Sequence, residues 1–374
     1  LAVAISASED GNLILPQIGY GAHTCAVRLD GTVVCWGVNF AGQLGNGNGI
    51  SSANPVVVNG YFHAVSVATG AAHSCALTQD GGVECWGSTA YGQAGEESMV
   101  DTVFGPGYLA NLTPVSIQVN DRPLFLTAGG AQNCIIVNDG SLQCWGMLGD
   151  EDGRLTILRA PAVVSQNVNT VSIGGADYTE LQAATCSSHS DGSVACWGRN
   201  CSGVFGNTSI TELDSSTPAI IDGVSNATAV SVGHTGCHAC ALTAERLVLC
   251  WGSNSKGQLG SGIDPVQPAA LVQNLSEVTS VSAGNAHTCA VRTDSTVWCW
   301  GDNQYGQLGS ANPTQSNKPI NVGGLSGATA ISAGANHTCA ILGGGEVSCW
   351  GYNVNGELGN GTRGPSGPPT IVIE

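Results

Sequence analysis

Seven times along this chain two cysteines stand ten positions apart, and each second cysteine is followed by Trp-Gly. The first copy reads His23-Thr24-Cys25-Ala26-Val27-Arg28-Leu29-Asp30-Gly31-Thr32-Val33-Val34-Cys35-Trp36-Gly37. The others place Cys75 with Cys85, Cys134 with Cys144, Cys186 with Cys196, Cys240 with Cys250, Cys289 with Cys299 and Cys339 with Cys349. The Trp residues closing the copies, Trp36 to Trp350, lie 49 to 59 residues apart. A period of about 50 marks a propeller or a solenoid. It overrides the two or three domains that length alone would suggest, and a single domain over residues 1–374 is expected.

Each copy reads as a hairpin. Val27, Val33 and the two cysteines alternate with other positions, which is strand periodicity on two arms. The turn Leu29-Asp30-Gly31 matches a three-residue loop closed by a left-handed residue. In that register Arg28 faces Thr32, Val27 faces Val33 and Cys25 faces Cys35. If Arg28 and Thr32 form the hydrogen-bonded closing pair, the cysteines form a non-hydrogen-bonded pair, where side chains lie closest. Seven hairpin disulfides follow, each worth roughly 2–3 kcal/mol in the chain-entropy model. Buried free thiols are the alternative. Zinc is a poor rival, because its ligands favour shorter spacings.

The positions inside the cysteines are apolar in six copies, and Ala and Trp line the opposite face. Both faces are therefore buried, as a blade between two neighbours requires. A third strand precedes each hairpin, as in Ala64-Val65-Ser66-Val67. A fourth follows the Gly-rich loop, as in Pro55-Val56-Val57-Val58 and Pro319-Ile320-Asn321-Val322. Four strands in each of seven units predict an all-β, seven-bladed β-propeller.

His-x-Cys-Ala-Leu/Val, then Asp-Gly-x-Val-x-Cys-Trp-Gly, then Gly-Gln-Leu-Gly resembles the regulator of chromosome condensation repeat. The closing segment recurs at Gly42–Gly45, Gly257–Gly260 and Gly306–Gly309, and as Gly356-Glu357-Leu358-Gly359. The resemblance covers nearly the whole chain. It implies a propeller, and it implies little about activity, because one fold hosts many functions. The founding member of that family binds chromatin and exchanges nucleotide on a small GTPase. Other relatives are secreted, including a bacterial inhibitor of β-lactamases. The copies here are unequal. Blade three has Met147-Leu148-Gly149-Asp150, blade four has Gly203-Val204-Phe205-Gly206, and the stretch 96–120 is longer than its counterparts.

The net charge is −17, with ten basic residues, of which only Lys256 and Lys318 are lysines. Nucleic acid needs clustered Lys and Arg to displace counterions, so a chromatin role is not expected to carry over. The same charge disfavours anionic membranes. No apolar run is long enough to span a bilayer. Sixteen cysteines fit an oxidising compartment, and an extracellular, secreted protein is expected. Cys201 and Cys237 remain after the hairpin pairs and are expected to form an inter-blade disulfide. Seven glycosylation sequons occur, at Asn111, Asn200, Asn207, Asn226, Asn274, Asn336 and Asn360. Asn111, Asn207, Asn226 and Asn274 sit in expected loops, whereas Asn336 lies just before a strand.

No catalytic constellation, cofactor site or metal site emerges. His23, His73, His238, His287 and His337 stand two before a first cysteine. A ring of His could bind metal or sense pH, but recurrence with structural cysteines favours a repeated hydrogen bond within each blade. Asp150-Glu151-Asp152-Gly153 lacks the further ligands of a calcium loop and reads as solvated. Phe40, Tyr91, Phe205 and Tyr305 follow four hairpins; they are either a binding face or ordinary packing.

The termini compete for one place. Ile371-Val372-Ile373 matches a fourth strand, and so, by its spacing from Cys25, does Ala2-Val3-Ala4-Ile5. Ile14 to Ile18 would then be blade one's first strand, and residues 1–13 an extension with a spare or donated strand. Donation to another copy builds a head-to-tail fibre. The expected function is a non-catalytic extracellular glycoprotein scaffold that self-assembles. The alternative is a secreted inhibitor or receptor that holds another protein, and guanine-nucleotide exchange ranks third. The expected partner is protein, including other copies of the chain.

Overall fold

In every copy the cysteines face each other across a hairpin, in the register that the turn dictates. His23–Arg28 pairs antiparallel with Val33–Gly37, with Val27 opposite Val33 and Cys25 opposite Cys35. Arg28 N–H donates to the Thr32 carbonyl at 2.8 Å, and Gly31 takes a φ of 81°. All seven hairpin disulfides are present, each with a Cα–Cα distance of 4.1 Å. The computed structural model describes residues 1–8, 22–60, 63–96, 99–102, 105–149, 155–175, 183–200, 203–205, 214–234, 237–262 and 269–373.

Each hairpin lies inside a sheet, and the strands follow in chain order in six of the seven blades. The first strands of neighbouring blades pack against each other and form the inner wall. Each carries a β-bulge one residue past its first pair, at Val3, Val65, Leu124, Asn169, Thr228, Thr279 and Thr329. The outermost strands are edges. Pro55, Pro114, Pro161, Pro218, Pro319 and Pro368 lie within six of them, and proline blunts an edge by removing a donor. The longer stretch in blade two supplies a fifth strand, Met99–Thr102, paired with Gly105–Ile117.

The core is seven inter-blade clusters rather than one centre. Cys25, Val27, Val33, Cys35 and Leu44 of blade one pack on Ala64, Val67, Ala76 and Trp86 of blade two. The same pattern closes the ring, where Cys339, Ile341, Val347, Cys349 and Leu358 of blade seven meet Ala26, Val34 and Trp36 of blade one. Both faces of every hairpin are buried for this reason.

The N-terminal strand corrects the sequence expectation. Ala2–Ala7 is blade one's own inner strand, pairing with His23–Arg28 so that Ala4 faces Val27 and Ile5 faces Ala26. Its backbone also joins blade seven, where Ala2 N–H donates to the Gly345 carbonyl at 2.6 Å and Ala7 N–H to Ser332 Oγ at 2.9 Å. Ile371, Val372 and Ile373 lie in Ser366–Ile373, which pairs with Val347–Gly351 of the same blade. Neither end is spare, so the assembly role of Ala2, Val3, Ala4, Ile5, Ile371, Val372 and Ile373 loses its basis. Spacing misled because blade two joins its first strand to its hairpin by Gly70-Ala71-Ala72, whereas blade one inserts residues 8–22 there. The expected strand at Ile14 to Ile18 lies outside the described residues.

Candidate functional site: the blade junctions and the turn face

The Gly-Gln-Leu-Gly loop of one blade grips the next. Trp86 Nε1–H donates to the Gln43 carbonyl at 2.8 Å, Trp300 to Gln258 at 2.8 Å and Trp350 to Gln307 at 2.9 Å. Trp145 reaches Gln93, and Trp251 reaches Val204, which stands at the glutamine position of blade four. At the closure Trp36 donates to Glu357 at 2.7 Å. In five blades the loop itself is held by an Asn three residues after the Trp. Leu44 N–H donates to Asn39 Oδ1, Phe205 to Asn200, Leu259 to Asn254, Leu308 to Asn303 and Leu358 to Asn353. These Asn residues were missed in the sequence, although their recurrence after Trp-Gly was the signal.

The recurring His residues act between blades, not within one as expected. His287 Nε2 lies 2.9 Å from Thr338 Oγ1, and that hydroxyl donates to the Gln307 carbonyl at 3.2 Å. The hydroxyl must therefore accept from Nε2–H, which sets the tautomer. His23 meets Ser74, His73 meets Asn133, His238 meets Thr288 and His337 meets Thr24 in the same way. All five are buried. Burial pushes His23, His238, His287 and His337 down to about 3, and His73 to about 4. In blade three Gln132 replaces the imidazole and accepts from Thr185 at 3.3 Å. The ring of neutral imidazoles is thus structural glue. Among the described residues no three His, Cys, Asp or Glu side chains gather as metal ligands.

The propeller has two unlike faces. The Gly-Gln-Leu-Gly loops occupy one. There Lys256 Nζ lies 3.3 Å from Asp302 at one junction, and Tyr305 meets Tyr352 edge-on at 5.0 Å at the next. Phe205 is fully buried and fills the leucine position, so it serves packing, whereas Phe40, Tyr91 and Tyr305 are half-buried. The hairpin turns occupy the other face and carry Asp30, Asp80, Asp139, Asp191, Glu245 and Asp294, all exposed. Local donors hold their carboxyls below the usual range. The chief cause is the Thr32 backbone N–H for Asp30 and the hydroxyls of Thr78, Ser141, Ser193 and Thr296 for Asp80, Asp139, Asp191 and Asp294. Glu245 is lowered chiefly by its own backbone. Six of the seven turns on this face thus carry a carboxylate held in its charged form.

Two sequons prove to be structural. Asn111 is buried and its Nδ2 donates to the Ala94 carbonyl at 2.8 Å, and Asn200 is the buried loop brace of blade four. Neither amide can bear a glycan in the fold. Asn336 is half-buried, and half-buried Asn360 accepts from the Thr362 hydroxyl at 2.6 Å. Asn226 and Asn274 are exposed, with φ of 55° and 57°. Cys237 is disulfide-bonded, whereas its expected partner Cys201, the sequon Asn207 and the acidic run from Asp150 to Gly153 lie outside the described residues.

Two family models, each described as the regulator of chromosome condensation (RCC1) repeat, match the chain. One matches residues 64–93, 228–258, 278–307 and 328–357, the other 30–77, 247–291 and 294–341, and together they cover just over half of it. The chain belongs to the RCC1 repeat family. Within that family it is 28% identical to the ultraviolet-B receptor UVR8 of Arabidopsis thaliana over 74% of this chain and 62% of the receptor. It is 30% identical to human protein RCC2, over 30% of this chain and 23% of that protein. These curated relatives are thus matched over less than two thirds of their own length. Among solved structures, yeast RCC1 (Prp20) bound to Kap60 superposes with a TM-score of 0.78 at 19% identity, covering 93% of this chain and 85% of that one. Human WBSCR16 follows the same fold, with a TM-score of 0.74 at 20% identity over 91% and 87% of the two chains. These likenesses establish the RCC1 propeller fold.

Proposed function

We propose that this RCC1-family propeller is a non-catalytic protein-binding module of an oxidising, extracellular compartment. The observation that carries the reading is the closed ring. With both terminal strands paired inside their own blades, neither is free to be donated, and the two faces and the outer rim are the exposed surfaces among the described residues. Seven buried disulfides favour an oxidising setting, because a reducing one keeps thiols reduced. UVR8 is a receptor, and Prp20 has been solved with Kap60 and studied for binding to Gsp1p and histones. Protein recognition by a propeller face is the general property taken from them. Nucleotide exchange on a cytosolic GTPase is disfavoured by the disulfides. The scaffold reading survives only as lateral assembly without strand donation.

The test is native protein recovered from its source. Its presence outside cells, fully oxidised and monodisperse by light scattering at high concentration, supports the reading. Free thiols in an intracellular pool, or filaments in negative stain, overturn it.

A further inference from the structure

The seven inner-strand bulges ring one mouth of the central channel, on the turn face, and they divide into two kinds. In blades four to seven the bulge residue is polar and satisfies a carbonyl beside it. Asn169 Nδ2 donates to His189 O at 3.1 Å, and Thr228, Thr279 and Thr329 donate to Leu242, Val291 and Ile341 at 3.1 to 3.2 Å. In blades one to three the equivalent residue is aliphatic and exposed, at Val3 (50%), Val65 (47%) and Leu124 (62%). Phe125 and Leu29 extend the same arc, 38% and 70% exposed. Neighbouring first strands pack against each other, so Val3, Val65 and Leu124 hold the same register on three successive strands of the inner wall. Nothing in blade construction calls for apolar residues there, since four blades are built with polar ones.

Charge narrows the occupant. The hairpin turns behind the arc carry Asp30, Asp80 and Asp139, and Asp121 lies beside Leu124. The basic side chains described in this sector are Arg28, His63 and Arg122, and Arg122 already donates to the Gln79 carbonyl at 3.2 Å. A second copy of the chain would set one acidic ring against another, with a net charge of −17 on each body. Oppositely charged rims around an apolar centre are the ordinary composition of a protein interface.

We propose that the apolar arc of blades one to three at the turn-face channel mouth docks a segment of another protein in which aliphatic or aromatic side chains are flanked by Lys or Arg. This rests on the binding-module reading and gives it a face and a ligand chemistry.

The probe is a phage-displayed random peptide library selected on the full chain at physiological salt. Two double variants serve as counter-targets, V65T/L124T and D80N/D139N, with K318A as a control on the opposite face. Threonine is the bulge residue of blades five to seven, so V65T/L124T keeps the blade design, and an unchanged melting curve verifies that. Enriched peptides should pair Lys or Arg with aliphatic or aromatic residues. They should bind both double variants at least tenfold more weakly and bind K318A unchanged. Peptides that lose affinity only for K318A overturn the arc but leave the binding-module reading standing. A selection yielding no binder overturns both. Self-association that disappears in V65T/L124T replaces the foreign segment with a second copy and overturns the proposal.

Discussion

Ser8 Oγ lies 3.0 Å from Nδ1 of His23, at the place where four other blades put a glycine against the equivalent imidazole. Those glycines are Gly70, Gly233, Gly284 and Gly334, and a Cβ on Gly70, Gly284 or Gly334 would collide with the ring of His73, His287 or His337. The Nδ1 atoms of His73, His238, His287 and His337 have no partner. Only blade one gives its imidazole a second hydrogen bond from the inner strand. These neutral, half-satisfied rings are the most pH-sensitive part of the ring.

An imidazole whose folded-state pKa is depressed takes up a proton on unfolding. Its contribution is complete above pH 6.5 and is lost as pH falls toward about 3, as for His287. Each such group costs about 1.4 kcal/mol per pH unit over that window. Melting temperature should therefore fall between pH 6.5 and 5. The turn aspartates add their loss only below 3.8. His287→Gln, the residue type of blade three, should make the decline shallower by about one proton in a pH-dependent denaturant series. A stability profile flat down to pH 4.5 would contradict neutral, buried imidazoles.

Removing residues 1–8 should open blade one rather than release an intact monomer. The deletion leaves the carbonyls of Gly345 and His23 and the hydroxyl of Ser332 without the partners they now have. Of these three only His23 is fully buried, so the cost is at least about 1–3 kcal/mol. Urea denaturation of the truncated chain measures it. Wild-type stability in that variant would mean that the strand is dispensable.

The hairpin disulfides should be independent of one another. Replacing Cys289 and Cys299 together by Ser is expected to cost roughly 2–3 kcal/mol. The same change at Cys25 and Cys35 should add to it within about 0.5 kcal/mol, because the two blades share no packed cluster. Chemical denaturation of the two double variants and the quadruple variant tests this, and strong coupling between them would mean that the blades do not pack as separate junctions.

Glycan occupancy, if the chain passes through a eukaryotic secretory route, should be found at Asn226 and Asn274 and be absent at Asn111 and Asn200. Mass mapping after enzymatic deglycosylation reads each site. A glycan at Asn111 would require the bond from its Nδ2 to Ala94 to be broken and that strand displaced.

Trp36→Phe removes the donor to Glu357 while keeping most of the packed ring. The carbonyl keeps the Thr24 hydroxyl at 3.2 Å. The expected cost is about 1–3 kcal/mol. Trp350→Phe at the next junction should cost about the same, since its bond to Gln307 has the same form. Thermal melts of both variants check whether the closure is an ordinary junction or a special one.

Much of this molecule was legible in the sequence because hairpin register follows from turn length. Ten residues from Cys25 to Cys35 around a three-residue loop leave a single pairing, and the structure has it. What repetition does not encode is direction. The recurrence of His287 with Cys289 indicated a shared hydrogen bond, but the partner is Thr338 of the following blade. The first strand was misplaced for a related reason, since an insertion between Ala7 and His23 shifted it to the spacing of a fourth strand. Asn200 matched a sequon while serving as a loop brace, because the two uses demand the same residue and differ only in burial. The apolar arc was invisible, since Val3, Val65 and Leu124 look like ordinary strand residues until the bulges turn them outward.

Because the loops of six blades grip the blade that follows, these junctions run in one rotational sense. Stacked repeats in an open row need specialised end units to shield their last apolar face. Here the last blade's grip falls on the first, so the row closes on itself and none needs to be a cap. The order in which the blades are strung along the polypeptide is then a matter of indifference to the wheel. A permuted chain, cut between blades four and five and rejoined at the present ends, should turn into the same object.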